Sequence, residues 1–128
     1  MQSQDERNLE LLGNLHFVLG GVTALLSCIP FIHFFIGLLF LIPGIGAPEL
    51  APRLVGLIFV LLSGFIIVAG WVMAVLIIVA GSRMKQRRYY NFCLVVSFLE
   101  CLIVPLGTVL GIITIVNLTK DSVKELFA

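Results

Sequence analysis

Three long apolar stretches constrain this chain more than any other feature of its sequence. They run over 15–42, 54–81 and 92–118, and each has 27 or 28 residues. As helices they would each reach about 40 Å, which exceeds the roughly 30 Å of a membrane's hydrocarbon core. Only 12% of the residues are charged, whereas a soluble domain carries roughly a quarter. The sequence therefore predicts an all-α, polytopic transmembrane helical bundle, with a single domain over 1–128.

Two prolines divide the outer apolar stretches, while the middle stretch has none and is predicted to be one tilted helix. Proline suits the first turn of a helix and destabilises its interior, so Pro30 and Pro105 each mark a kink or a turn. A turn at Pro30 with a kink at Pro105 gives four crossings. Turns at both give five, with half-segments of about 12 residues that are short for a span. We therefore expect four main hydrophobic helices, over 4–29, 30–42, 53–82 and 88–119.

Polar residues mark the ends of these elements. Ser3 and Glu6 fit a capping box at the start of the first helix. The segment 43–52 contains three prolines and two glycines and is predicted to be a loop. Near the end of the chain, SVKE at 122–125 fits a second capping box. It would open a short amphipathic helix at the membrane interface.

The basic residues cluster in one segment, RMKQRR at 83–88, followed by two tyrosines. Arginine beside tyrosine is typical of a membrane interface, so the cluster is interpreted as a contact with lipid headgroups or as a topology signal. Four crossings place four Lys or Arg residues on each side, which leaves the orientation open. The net charge of +1 gives no field for nucleic acid. The residues concerned are Arg83, Lys85, Arg87, Arg88, Tyr89 and Tyr90.

Small residues recur at helical spacing along all three stretches. Because small side chains let helix backbones approach closely, these stripes predict helix–helix packing, and a lined polar pathway is the alternative. One stripe on the first helix consists of Gly13, His16, Gly20, Thr23 and Ser27. The packing glycines we single out are Gly20, Gly56, Gly70, Gly107 and Gly111.

Glu100 is the one carboxylate inside an apolar stretch. An unpaired, ionised carboxylate at membrane depth costs several kcal/mol, so such a residue is usually protonated, paired or functional. We expect Glu100 to form a hydrogen bond at a helix crossing, with His33 or Ser27 as its partner. A role in transport or proton relay is the alternative.

The two histidines, His16 and His33, both lie in apolar surroundings. A bis-histidine haem would need both imidazoles at one depth, and a hairpin about Pro30 separates them within one chain. Cys28, His33, Glu100 and Cys101 match no zinc spacing. We therefore expect no cofactor and no metal.

No catalytic signature such as GxSxG, HExxH or a Walker A loop occurs. The chain is accordingly expected to be no enzyme but a structural or accessory membrane subunit, with partners that are lipid and other membrane chains, including copies of itself. The alternatives are a small channel or carrier that uses Glu100, and a haem- or metal-bearing electron-transfer subunit.

Two segments carry a family resemblance, LHFVLGGVTALLSCIPFIH and YYNFCLVVSFLECLIVPLGTVLGIITIVNLTKDSVKELF. Together with the proline-rich loop between them, they resemble a group of small, uncharacterised bacterial inner-membrane proteins. The resemblance covers the chain from about His16 to Phe127. It implies a helical bundle of about four membrane helices in the bacterial inner membrane and adds no site residue.

Overall fold

The computed structural model describes residues 3–45 and 49–128, which fold into helices without any strand. The all-α prediction is therefore confirmed. The chain divides into two units, the first formed by Met1–Val22 with Met73–Ala128 and the second by Thr23–Val72. The helices are α1 Gln4–Leu26, α2 Pro30–Leu41, α3 Leu50–Lys85, α4 Tyr90–Glu100, α5 Leu106–Leu118 and α6 Asp121–Phe127.

Two helices in the described residues are long and apolar enough to cross a membrane. One is the 38-residue span Gln4–Leu41, which combines α1 and α2, and the other is the 36-residue α3. A third span results only if α5 and α6 are counted together, although they meet at a bend of 84°. The expected number of four crossings is therefore not confirmed.

Pro30 does not reverse the chain, in contrast to the predicted turn. The backbone hydrogen bonds continue past it in a tightened, 3₁₀-like form, from Phe31 N–H to the Cys28 carbonyl and from Ile32 N–H to the Ile29 carbonyl. Pro30 itself occupies the first turn of α2, where its missing N–H costs nothing. As a result, α1 and α2 together form one span.

Pro105 lies in a reversal, so the single helix expected over 88–119 is two helices. The Tyr90 hydroxyl at the start of α4 donates to the Leu118 carbonyl at the end of α5, at 2.9 Å. At the other end, the Thr108 hydroxyl donates to the Cys101 carbonyl at 2.8 Å. Contacts at both ends make α4 and α5 an antiparallel pair, which we call the α4–α5 hairpin.

Within the first unit, α1 and the later part of α3 pack antiparallel beside the α4–α5 hairpin. The core is built from fully buried aliphatic side chains on four helices, and the tail helix α6 adds Val123. Phe127 of α6 stacks edge-on against Tyr90, with 5.6 Å between the ring centroids. The core residues with the largest buried side chains are Ile77, Met84, Val96 and Leu118.

Within the second unit, α2 packs antiparallel on the first part of α3. The backbones meet at Gly37 and Gly56, where a Cβ built on either glycine would lie 2.8 Å from the carbonyl oxygen of the other. Gly70 packs against the side chain of Ser27. The outer faces of both helices carry exposed apolar side chains, among them Phe35 and Phe65.

Of the two predicted capping boxes, the structure confirms the first and contradicts the second. Ser3 and Glu6 exchange the two hydrogen bonds of a capping box, at 3.0 and 3.3 Å. The second capping box is wrong, because α6 begins at Asp121 after Lys120 and has no side-chain cap. The loop predicted at 43–52 is shorter, since α3 begins at Leu50, and its residues 46–48 lie outside the described part of the chain.

Candidate functional site

The candidate site is a histidine–carboxylate pair inside the first unit. Nε2 of His16 on α1 lies 3.0 Å from Oε1 of Glu100, the last residue of α4. Both side chains are 0% exposed. The pair therefore joins the first span to the end of the α4–α5 hairpin at which Pro105 lies, and neither side chain contacts solvent.

The hydrogen bonds around the pair define its chemistry. Nδ1 of His16 lies 2.7 Å from the Leu12 carbonyl, an acceptor, so Nδ1 must carry a proton. Nε2 then faces the carboxyl group of Glu100. Although the 3.0 Å separation is short enough for an ion pair, its alignment does not meet the geometry of a hydrogen bond, and Oε2 has no partner within the described residues. A buried pair of this kind can hold a proton between its two members.

The expected partners of Glu100 are wrong. His33 stacks edge-on with Phe59, with 6.2 Å between centroids, and the Ser27 hydroxyl donates to the Thr23 carbonyl at 2.7 Å. The reversal at Pro105 explains the actual pairing with His16. His16 lies about 14 Å along α1 from Arg7, and Glu100 lies about 15 Å along α4 from Tyr90. If Pro105 is taken as a turn, the sequence therefore places His16 and Glu100 at nearly the same depth and could have predicted that they pair.

Glycines line the backbone contacts around this pair. A Cβ on Gly81 of α3 would lie 2.8 Å from both the Gly13 carbonyl oxygen and the His16 Cβ. In the hairpin, Gly107 packs against the Glu100 carbonyl, and a Cβ on Gly111 would lie 2.6 Å from the Ser97 carbonyl. Small residues of the stretch expected to be one helix over 88–119 therefore lie on the two facing sides of the hairpin. These close approaches leave no room for a larger side chain next to the pair.

The other packing glycines also contact helices within their own unit. A Cβ on Gly20 would lie 2.5 Å from Ile78 Cγ1 and 3.2 Å from the Ala74 carbonyl oxygen. In the second unit, Gly56 meets Gly37 and Gly70 meets Ser27. The small-residue stripes are thus used for packing within the chain.

His33 belongs to the second unit. It is exposed and borders a groove of about 250 Å³ whose other lining residues include Pro30, Phe59 and Ser63. The Ser63 hydroxyl is bonded to the Phe59 carbonyl of its own helix. Among the described residues, the His33 imidazole has an edge-on contact with Phe59 and no hydrogen bond.

The basic cluster lies at the end of the first unit where α3 ends and α1 begins. Arg87 forms an ion pair with Glu6, at 2.9 Å, which ties the end of α3 to the start of α1. The Lys85 ammonium donates to Asn14 at 2.8 Å. The Arg83 guanidinium lies over the Tyr89 ring, 4.9 Å from its centroid, whereas Arg88 is exposed. This end therefore presents arginine and tyrosine side chains next to polar residues of the first helix.

The described residues contain no group of three metal-ligating side chains. Both nitrogens of His16 face oxygen atoms of the chain, the Leu12 carbonyl and the Glu100 carboxyl group, so neither is free to bind iron. Cys28, Cys93 and Cys101 are free thiols. The arrangement offers proton chemistry at one buried pair and no assembled ligand set.

Comparison with protein-family models, with curated proteins and with solved structures finds no match. Fold and site together define a class: an α-helical protein with helices that could span a membrane and with one buried histidine–glutamate pair.

Proposed function

We propose that this chain is a non-catalytic integral membrane protein that acts as a structural or accessory subunit, in a homo-oligomer or in a larger membrane complex. Its spans expose most of their apolar surface. In the most apolar 18-residue window of each span, only 11% and 17% of the residues are buried. Surface of this kind must be covered by lipid or by other membrane helices.

The exposed imidazole of His33 is the observation that favours a protein partner over lipid. Polar side chains in membrane helices almost always face protein or a water-filled cavity. His33 instead faces outward beside an apolar groove, in a unit that consists of only one packed pair of helices. A neighbouring helix with a hydrogen-bonding group at that level would satisfy the imidazole.

The small-residue stripes already pack within the chain, and this limits the surfaces on which such a partner can dock. Gly37, Gly56 and Gly81 already contact backbone within the chain, so these glycines are unavailable to another subunit. The proposed interface is therefore the His33 face of the second unit and not the glycine stripes.

The native mass of the gently extracted protein tests this proposal. We expect a multiple of 14.0 kDa, or a larger mixed assembly, after correction for bound detergent and lipid. His33→Leu should reduce the assembled fraction. The matched control is Phe35→Leu, because Phe35 is exposed on the same helix about 200° away. A monodisperse monomer extracted from native membranes would contradict the proposal.

A small channel or carrier is the second candidate, and the buried His16–Glu100 pair is the observation that favours it. Ionisable side chains within membrane helices often mark ion or proton pathways. The pair is 0% exposed, so transport would require the helices to separate and admit water. Ion or proton flux into proteoliposomes that is lost in Glu100→Gln would support this role. Flux equal to that of empty liposomes would exclude it.

The bacterial inner membrane is the location proposed here, on the basis of the resemblance to small bacterial inner-membrane proteins. Anionic lipid is a proposed partner of the basic cluster at the end of α3, where Arg88 and Tyr89 are exposed. Fractionation of cells that express the tagged chain tests the location. Recovery in a soluble fraction would overturn it.

A further inference from the structure

We propose that the α4–α5 hairpin is re-entrant: it enters and leaves the membrane at one face, and its inner end, the turn at Pro105, lies within the lipid. This inference does not depend on the accessory role. It concerns how the chain is threaded through the membrane.

The lengths of the two helices prevent either from crossing alone. With 11 and 13 residues, α4 and α5 are about 17 and 20 Å long, against a hydrocarbon core of about 30 Å. Since they are antiparallel and bonded at Tyr90 and Leu118, their outer ends lie together. The hairpin therefore reaches more than halfway into the hydrocarbon core without crossing it.

The inner end of the hairpin is suited to hydrocarbon and not to water. Residues 101–106, CLIVPL, include no charged or strongly polar side chain. Leu102 is 78% and Val104 77% exposed. A turn that reached the opposite membrane surface would be expected to carry polar or charged side chains. Apolar side chains exposed at the tip instead favour a tip within the lipid.

Several backbone groups at this turn find partners within the hairpin. Irregular backbone is tolerated at membrane depth only where its polar groups find partners. The Glu100 carbonyl accepts from Ile103 N–H at 2.8 Å, and the Cys101 carbonyl accepts from the Thr108 hydroxyl at 2.8 Å. The carbonyls of Glu100, Cys101, Ile103 and Pro105 are thus bonded within the hairpin.

The tail helix argues against the alternative in which α5 and α6 form one broken span. The two helices meet at 84°, Val123 is 1% exposed, and Phe127 stacks on Tyr90. These contacts hold α6 at the outer end of the hairpin. The tail therefore lies along the same membrane face as Tyr90.

Side-specific labelling of cysteine tests the threading. In a chain whose three natural cysteines are alanine, single cysteines are placed at Ile45, Gln86, Ser122 and Val104, and sealed vesicles are treated with an impermeant maleimide. We expect Gln86→Cys and Ser122→Cys to react from one side and Ile45→Cys from the other. Val104→Cys should react only after detergent is added. If the first two react from opposite sides, or Val104→Cys reacts from the side of Ile45→Cys, the re-entrant hairpin is wrong.

A second measurement avoids the risk that the alanine background misfolds. Epitope tags are attached at the two ends of the otherwise unchanged chain, and their protection from protease is compared in sealed vesicles. Two spans and a re-entrant hairpin place both tags on one side. Tags on opposite sides would require an odd number of crossings and would overturn the proposal.

Discussion

Most buried hydroxyl groups in this chain bond to the backbone of their own helix. Ser97 donates to the Cys93 carbonyl and Thr114 to the Leu110 carbonyl, at 2.8 and 2.7 Å, each four residues back. Such bonds satisfy a polar side chain without linking two helices. His16 with Glu100, and Tyr90 with Leu118, differ because each joins separate helices. Single substitutions at these residues should therefore report on how the helices are held together.

Replacement of Glu100 should distinguish a hydrogen-bonded pair from a merely buried side chain. Glu100→Leu removes the carboxyl group that lies 3.0 Å from the His16 nitrogen and should cost about 1–3 kcal/mol of unfolding free energy. Glu100→Gln keeps a donor for Nε2 and should cost less. The double variant His16→Leu with Glu100→Leu should recover part of the loss, because both polar groups are gone. Thermal unfolding in detergent measures all three, and equal stability of the Gln and Leu variants would contradict the expectation.

Tyr90→Phe should weaken the hairpin through one hydrogen bond. The change removes the bond to Leu118 but keeps the aromatic contact with Phe127, so we expect a loss of about 0.5–1.5 kcal/mol. Tyr89→Phe is the matched control, since Tyr89 is 64% exposed and should change stability little. Proteolysis at the end of α5, compared between the two variants, gives the measurement. Identical cleavage rates would mean that the Tyr90 hydroxyl does not hold the hairpin.

The two prolines show, at the level of helices, what the sequence could predict and what it could not. Each breaks an apolar stretch, and local rules allow a kink or a turn at both. Just before Pro30, the Ser27 and Cys28 side chains donate to backbone carbonyls of α1, and the backbone hydrogen bonds continue past the proline. At Pro105 the following Gly107 lets α5 return against the Glu100 carbonyl. The helical class and the packing stripes followed from composition and spacing, but this choice depends on contacts between residues on either side of each proline.

Substitution of glycine should separate packed from unpacked helix faces. Gly81→Ala would place its Cβ against the Gly13 carbonyl, a backbone atom that cannot move aside, so we expect a loss of about 1–3 kcal/mol. Gly21 has no atom within 4 Å of the same position. Gly21→Ala should be neutral or stabilise α1 by up to about 1 kcal/mol. Unfolding of both variants by heat provides the comparison, and similar losses would show that the close α1–α3 approach does not contribute to stability.

For the whole molecule, the reversal at Pro105 changes the count of basic residues that decides orientation. With α4 and α5 as a re-entrant hairpin, both termini and the segment after α3 share one membrane face. That face then holds all but one of the eight Lys and Arg residues, the exception being Arg53 near the start of α3. Basic residues accumulate on the cytoplasmic side of membrane proteins. We therefore expect both termini in the cytoplasm, where the four-crossing arrangement gave no preference.

Equal numbers of basic residues at the two membrane faces should remove the preference for one orientation. Changing Arg83, Arg88, Lys120 and Lys124 to Gln, with Ile45→Lys and Glu49→Lys added, leaves three basic residues at each face. We expect a mixture of both orientations, measured with a C-terminal reporter that is active only in the cytoplasm. The four Gln changes alone leave three residues against one and should preserve the original orientation. If the six-residue variant keeps one orientation in full, the basic cluster does not set the topology, and its arginines would then have to act through contacts such as that between Arg87 and Glu6.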